Sequence, residues 1–463
     1  MAGEQCVSPV PYDELLDEAG NPRPAARALM AHLDDLGTDE LLLRQEAARI
    51  GIEASGVSFT VYSEGSGIDR PWPFDIVPRV LDRAEWDRIE AGLLQRLKAL
   101  NAFIADVYGE REILEAGVVP ADPILGSLSF REECVGIRPS HDVWAHICGS
   151  DLVRDSDGTV YVLEDNLRTP SGVSYVLENR LITKQVFGEL FDRHSIRPLD
   201  AYPDRLHRIL ASLSPLENPV VAVLTPGIYN SAYFEHSFLA RAMGVPLVEG
   251  RDMFVDDHDQ LMLRTVEGPI RVDVLYRRVD DLFLDPEVFR ADSELGTPGM
   301  MRAWAAGNVA LASAPGAGVA DDKVVYTFVP DMIRFYLDED PILPNVPTYR
   351  CDNETARDYV LANLEQLVVK PANESGGYGI VVGTAATGDE LHECAERIRA
   401  QPRNWVAQPV LSLSTVPTLC DGVLEPRHVD LRPFTLLGGE SYVTCGGLTR
   451  VARDRGSLIV NSS

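Results

Sequence analysis

The chain has 463 residues and a net charge of −29 that no acidic tail concentrates, so neither nucleic acid nor an anionic membrane surface is an expected partner. No apolar run approaches the roughly 20 residues of a membrane span, no signal peptide is visible, and seven scattered cysteines without CxxC fit a reduced, cytoplasmic protein. Lysine is scarce: Lys98, Lys184, Lys323 and Lys370 stand against 38 arginines, and a retained lysine marks a place where a compact ammonium is wanted.

In chain order, residues 1–50 read as polar helix, 56–62 as a strand, and 70–75 as an extended segment fixed by Pro71 and Pro73. Asp82 and Glu85 have capping-box spacing ahead of a stripe of Trp86, Ile89, Leu93, Leu97, Leu100, Ile104 and Tyr108, which is a core helix ended by Gly109. Residues 149–175 read as strand, turn, strand, loop, with the turn at Asp155-Ser156-Asp157-Gly158. Glu164 and Asn166, two apart on the second strand, share a face, and Asp151 lies across the hairpin. Two carboxylates and a carboxamide suit Mg²⁺, which takes one or two carboxylates plus phosphate oxygens. Taken alone, the segment reads equally well as an acidic hairpin in an acidic protein.

Residues 174–191 are helical, and a boundary falls near 212–219. An open α/β unit follows: strand 220–224, helix 231–243 capped by Gly244, strand 245–248, and a strand over 272–276. Ligands of such sheets sit beyond the strand C-termini, which points to Gly227 and to Glu249-Gly250. Further on, 367–371 is a strand ending in Lys370-Pro371, and 372–379 is a glycine-rich loop whose N–H groups suit phosphate, although it lacks a P-loop pattern. Residues 389–400 form a helix and 405–410 a strand; 428–434 alternates, with Asp430 and Arg432 on one face, and 442–450 reads as strand-turn around Gly446-Gly447. None of the nine histidines has zinc-ligand spacing.

Asp151, Glu164 thirteen residues on, and Asn166 resemble the magnesium signature of ATP-grasp ligases. Lys323 and Lys370 resemble that superfamily's two ATP lysines, and Gln408 falls where its adenine hinge would be. The order is inverted, with the lysines after the metal residues. That inversion resembles the circularly permuted ATP-grasp proteins, and long segments are similar to the type 2 branch, including 59–62, 73–79, 100–103, 163–172, 276–280, 320–323 and 430–434. Two departures stand out: family sequences continue past Ser463 into a glycine-rich segment with Ser and Lys, and Gly149 occupies a position that is Arg in many ATP-grasp enzymes.

The resemblance implies an α/β (α+β) ATP-grasp fold in permuted order, related to glutathionylspermidine synthase. It divides the chain into an N-terminal helical region (1–120), a metal-bearing ATP-grasp segment (121–215), a pre-ATP-grasp-like α/β domain (216–320) and an ATP-bearing segment (321–463). It implies ATP and Mg²⁺, with Asp151, Glu164 and Asn166 at the metal. Lys323, Lys370 and Gln408 would lie on ATP, under a loop of Gly376, Gly377 and Gly379. Arg432 is favoured at the transition state, with Arg168 second and Arg138 and Arg450 as further candidates. The implied activity is ligation of a small-molecule or peptide carboxylate to an amine or thiol acceptor through an acyl phosphate. An ATP-dependent phosphotransferase and a degenerate ATP-binding module are the alternatives.

Overall fold

The computed structural model describes residues 10–63, 66–374, 379–458 and 460. The first strands are β1 (Ser58–Ser63), β2 (Ser66–Pro71), β3 (Ile147–Arg154) and β4 (Val160–Asn166). Next come β5 (Val221–Leu224), β6 (Leu247–Val248), β7 (Met253–Val255), β8 (Leu261–Leu263), β9 (Ile270–Arg271), β10 (Val274–Arg277) and β11 (Ala310–Ala312). The C-terminal strands are β12 (Tyr349–Arg350), β13 (Leu367–Pro371), β14 (Val381–Val382), β15 (Trp405–Pro409), β16 (Thr415–Cys420), β17 (Val423–Leu437) and β18 (Ser441–Val451).

Three sheets position the site. An antiparallel sheet runs β16-β17-β3-β4 with β18 also on β17, so strands from the middle and the end of the chain are joined where β17 pairs with β3. A second antiparallel sheet runs β12-β15-β13-β14. The third, β11-β10-β5-β6, is wholly parallel. Its four-residue strands β5 and β10 are buried throughout, as expected for strands covered on both faces. The helix Tyr233–Met243 returns between β5 and β6 and ends at Gly244, whose φ of 70° explains the glycine. The sequence-predicted α/β unit is therefore present.

The helix Arg83–Tyr108 backs the first sheet. Asp82 caps it by accepting from the Glu85 N–H at 2.8 Å. The reciprocal half of the predicted capping box is replaced, because the Glu85 carboxylate pairs with Arg154 on β3. All seven residues of the predicted stripe are buried. Trp86, Ile89 and Leu93 pack on Leu152 and Val162 of β3 and β4, each such burial stabilising by about 1.5–3 kcal/mol. Among the described residues no helix is long and apolar enough to cross a membrane.

Three local expectations differ. The N-terminal helix spans Arg27–Ser55 and is interrupted at Gly37, φ 72°. Gly109 ends its helix at φ −112° rather than in the left-handed region. Gly446-Gly447 do not turn the chain; they lie within continuous β18, opposite a register shift at Pro433/Thr435 of β17. Glycine in a strand marks such irregular pairing as readily as a turn.

Candidate active site

The hairpin owes its chemistry to one extra residue. From Arg154↔Val160 to Leu152↔Val162 the β3–β4 pairing is regular, and it then jumps to Asp151↔Glu164, leaving Leu163 unmatched. Without that bulge Glu164 would face Ser150 and lie on the opposite side of the sheet from Asp151. With it, Val162 and Asp165 both turn to the supporting helix, Val162 onto its apolar face and Asp165 into a buried pair with Arg96 (Nη2 to Oδ2, 2.5 Å). Ser150 Oγ donates to the other Asp165 oxygen at 2.7 Å. The other face carries Asp151, Glu164 and Asn166.

Asp151 is buried at 1% exposure and is gripped by two arginines from the neighbouring strands. Arg432 on β17 donates to both carboxylate oxygens, Nε to Oδ1 at 2.5 Å and Nη2 to Oδ2 at 2.7 Å. Arg450 on β18 donates to Oδ2 at 2.7 Å and also pairs with Asp430, its cross-strand partner. Burial opposes the charge on Asp151, but the two guanidiniums outweigh it and hold the carboxyl below the usual range. The predicted shared face of Asp430 and Arg432 is observed as this network. Arg450's part in it follows from strand register, which local sequence does not display.

Glu164 is more open. Lys323 Nζ lies 3.4 Å from its Oε2, and Arg432 Nη2 lies 3.9 Å from its Oε1. Asn166 donates its Nδ2 to Gly149 O at 3.1 Å, which leaves Oδ1 as the available acceptor. Glu164, Asn166, Lys323 and Asn373 line one notch, where the buried Asn373 Oδ1 has no donor among the described residues. Oxygen donors on one face fit a hard divalent cation. No group of three His, Cys, Asp or Glu among the described residues is gathered to hold a metal, so an ion there would need phosphate or water oxygens as well, as Mg²⁺ commonly does.

The second sheet supplies the lysines' surroundings. Lys323 Nζ donates to Glu374 O at 2.8 Å, and its backbone N–H donates to Ala372 O at 2.9 Å, tying the short helix Lys323–Tyr326 to the end of β13. Lys370 is buried on β13, and its Nζ donates to Gln408 Oε1 on β15 at 2.7 Å. Gln408 in turn donates to Thr348 Oγ1 at 3.0 Å. Burial lowers Lys370 to about 8, with the Lys323 charge adding to the fall and Glu164 and Asp151 opposing it. The amide of Gln408, predicted at the hinge, is thus engaged in holding the lysine.

Arg168, just after β4, is tied down by Asp321 (Nε to Oδ2, 2.7 Å) and by Asp280 (3.4 Å). Gly379 has φ 72° and packs beside Pro371. Gly376 and Gly377 lie outside the described residues. Glu164, Asn166, Arg168, Arg432 and Arg450 open on a cavity of about 1620 Å³. Ser231 and Asp280 bring the C-terminal edge of the parallel sheet to this cavity, whereas Gly227 and Glu249 are not among the described residues lining it. Gly227 packs on Glu249 instead. Arg138 is not part of this arrangement among the described residues. Sequence reasoning missed Thr348 and Asn373, neither of which carries a motif.

Two antiparallel sheets, one carrying Asp151 and Glu164 and the other Lys370, with Lys323 reaching Glu164 from a short helix tied to the second, define an ATP-grasp-type fold. A solved glutathione synthetase-like effector from Globodera pallida, in its apo form, has the same architecture: TM-score 0.59, 13% identity, 90% of this chain and 95% of that one. The family model for circularly permuted ATP-grasp type 2 matches residues 78–452, and the chain belongs to that family. A Synechocystis sp. protein named only as uncharacterised is 55% identical over 98% of this chain and 94% of its own. A Frankia casuarinae protein, provisionally named glutamate–cysteine ligase 2-2, is 44% identical over 98% of this chain, which spans 53% of that relative.

Proposed function

We propose that the chain is an ATP-dependent ligase that phosphorylates a substrate carboxylate and lets an amine, or a thiol, displace the phosphate. The new bond is a peptide, amide or thioester bond, and ADP and phosphate leave. The observation that carries the reading is the approach of Lys323 to Glu164 at 3.4 Å, from segments far apart in sequence. Membership of the family supports it, and so does the ligase name of the Frankia relatives, which are about twice as long as the match.

Mg²⁺ held by Glu164 and Asn166, in front of Asp151 whose two oxygens bind Arg432 and Arg450, would neutralise phosphate charge and orient the transferred group. Lys323 and Lys370 would bind ATP phosphates, with Gln408 at the adenine hinge holding the Lys370 ammonium beside them. Backbone N–H groups of Gly376, Gly377 and Gly379 would close over the phosphates. Arg432 would stabilise charge on the acyl phosphate, and its two hydrogen bonds to Asp151 fix its direction. Arg168, already neutralised by two aspartates, is second. On this reading 121–215 and 321–463 are the halves of the ATP-grasp unit, 216–320 helps hold the acceptor, and 1–120 buttresses both.

ADP release, measured over pairs of amino acids and small peptides, tests this. Release is expected to need both acid and acceptor, to yield equimolar phosphate, and to give a hydroxamate when hydroxylamine replaces the amine. ADP without phosphate, accompanied by a stable phosphorylated product, would overturn ligation in favour of phosphotransfer.

A further inference from the structure

Among the half-buried arginines of the cavity wall, one differs from the rest. Arg79 pairs with Glu14, Arg168 with Asp321, Arg197 with Asp87, Arg432 with Asp151 and Arg450 with Asp430. Arg180, on the helix Val173–Val186, has no carboxylate within ion-pair distance among the described residues. Among the described residues its guanidinium donates only to backbone carbonyls, Nη1 to Arg197 O at 2.8 Å and Nη2 to Cys445 O at 3.5 Å, and it lies 6.0 Å from the centre of the Phe191 ring. Burial pulls its pKa down, and Cys445 and the more distant Asp200 offset this only in part. A half-buried guanidinium that meets two carbonyls on the wall of a roomy cavity keeps unused donors for an anion.

The wall beside it is kept bare. Gly446 sits at φ 114°, and a Cβ there would lie 3.7 Å from Arg180 Nη2. A Cβ on Gly447 would come within 2.7 Å of Arg432 O. The glycine pair therefore connects the Arg180 surroundings to Arg432 and Asp151 along a strip of backbone without side chains, and both glycines line the cavity.

Resting on the ligase reading, we propose that Arg180 binds a free carboxylate of a substrate, remote from the reacting group. That substrate is then an amino acid or short peptide lying along Gly446-Gly447. The test is a thermal-shift panel of amino acids and dipeptides, each as free acid and C-terminal amide, with Mg²⁺ and a non-hydrolysable ATP analogue. Compounds that raise Tm are expected to lose the effect on amidation. Arg180→Gln is expected to weaken their binding about tenfold or more while leaving the analogue's own shift intact, and Arg180→Lys to keep part of it. The Lys variant serves if the Gln variant fails to fold. Equal shifts with acid and amide, undiminished binding in Arg180→Gln, or no shift with any free acid would each overturn the subsite. Loss of the analogue's shift in the unaltered protein would instead overturn the ATP reading.

Discussion

Asp151 and Glu164 carry the same charge on the same face, yet their surroundings assign them different tasks. Asp151 is the buried counter-charge of two arginines, while Glu164 meets Lys323 in a more open setting. Asp151→Asn should therefore unfold more easily, by about 3–5 kcal/mol in urea titrations, because Arg432 and Arg450 lose their shared carboxylate. Glu164→Gln should leave the urea midpoint nearly unchanged and lower turnover by about 10²-fold or more. An equal loss of stability in both would sink the distinction. At this scale the sequence was informative about identity: two carboxylates, a carboxamide and two of four lysines stood out by type and spacing. Their partners did not, because Arg450, Thr348 and Asn373 acquire their roles through register and burial.

The strands decide which side chains meet. The bulge at Leu163 sets Glu164 on the face of Asp151, and nothing in Val160 to Asn166 announces it; alternation alone placed Glu164 with Asn166 correctly and left the cross-strand step undetermined. Glycines at 446 and 447 suggested a turn because turn and bulge share the same residue preference. Pairing of β13 with β15 puts Val368 opposite Gln408 and thus Lys370 on the same face, where the two side chains join. That buried setting gives a pH dependence. Lysine is charged below its pKa, and Lys370's is lowered to about 8, so the cation that phosphate requires is present below pH 8 and lost above it. Mg·ATP affinity should fall as pH rises through 8, approaching about tenfold per unit well above it, accompanied by proton uptake on binding. Calorimetry in buffers of different ionisation heat measures both. Affinity independent of pH between 7 and 10 would remove Lys370 from the phosphates.

At the scale of the whole molecule the permuted order was legible in the sequence and the closeness was not. Motif order showed metal-type residues ahead of lysines with an α/β unit between them, but only the backbone pairing of β4 with the segment after Lys323, Val162 N–H to Pro344 O at 2.9 Å and Val346 N–H to Val162 O at 3.1 Å, shows how they come together. A long shared core has the same effect, drawing Leu97–Tyr108 residues, the parallel sheet and the Ala317–Ala320 turn into one cluster. The surface is strongly acidic while the cavity gathers arginines, so the charge balance of the chain as a whole says little about what the cavity accepts. The central claim is that two distant segments make one nucleotide site. Titration of Mg·ATP into the full chain at pH 7, alongside Lys370→Met, tests it most directly. One ATP bound per chain, with binding lost in Lys370→Met while its fold persists by circular dichroism, is the expected result; undiminished binding in that variant, or none in the unaltered protein, would contradict it.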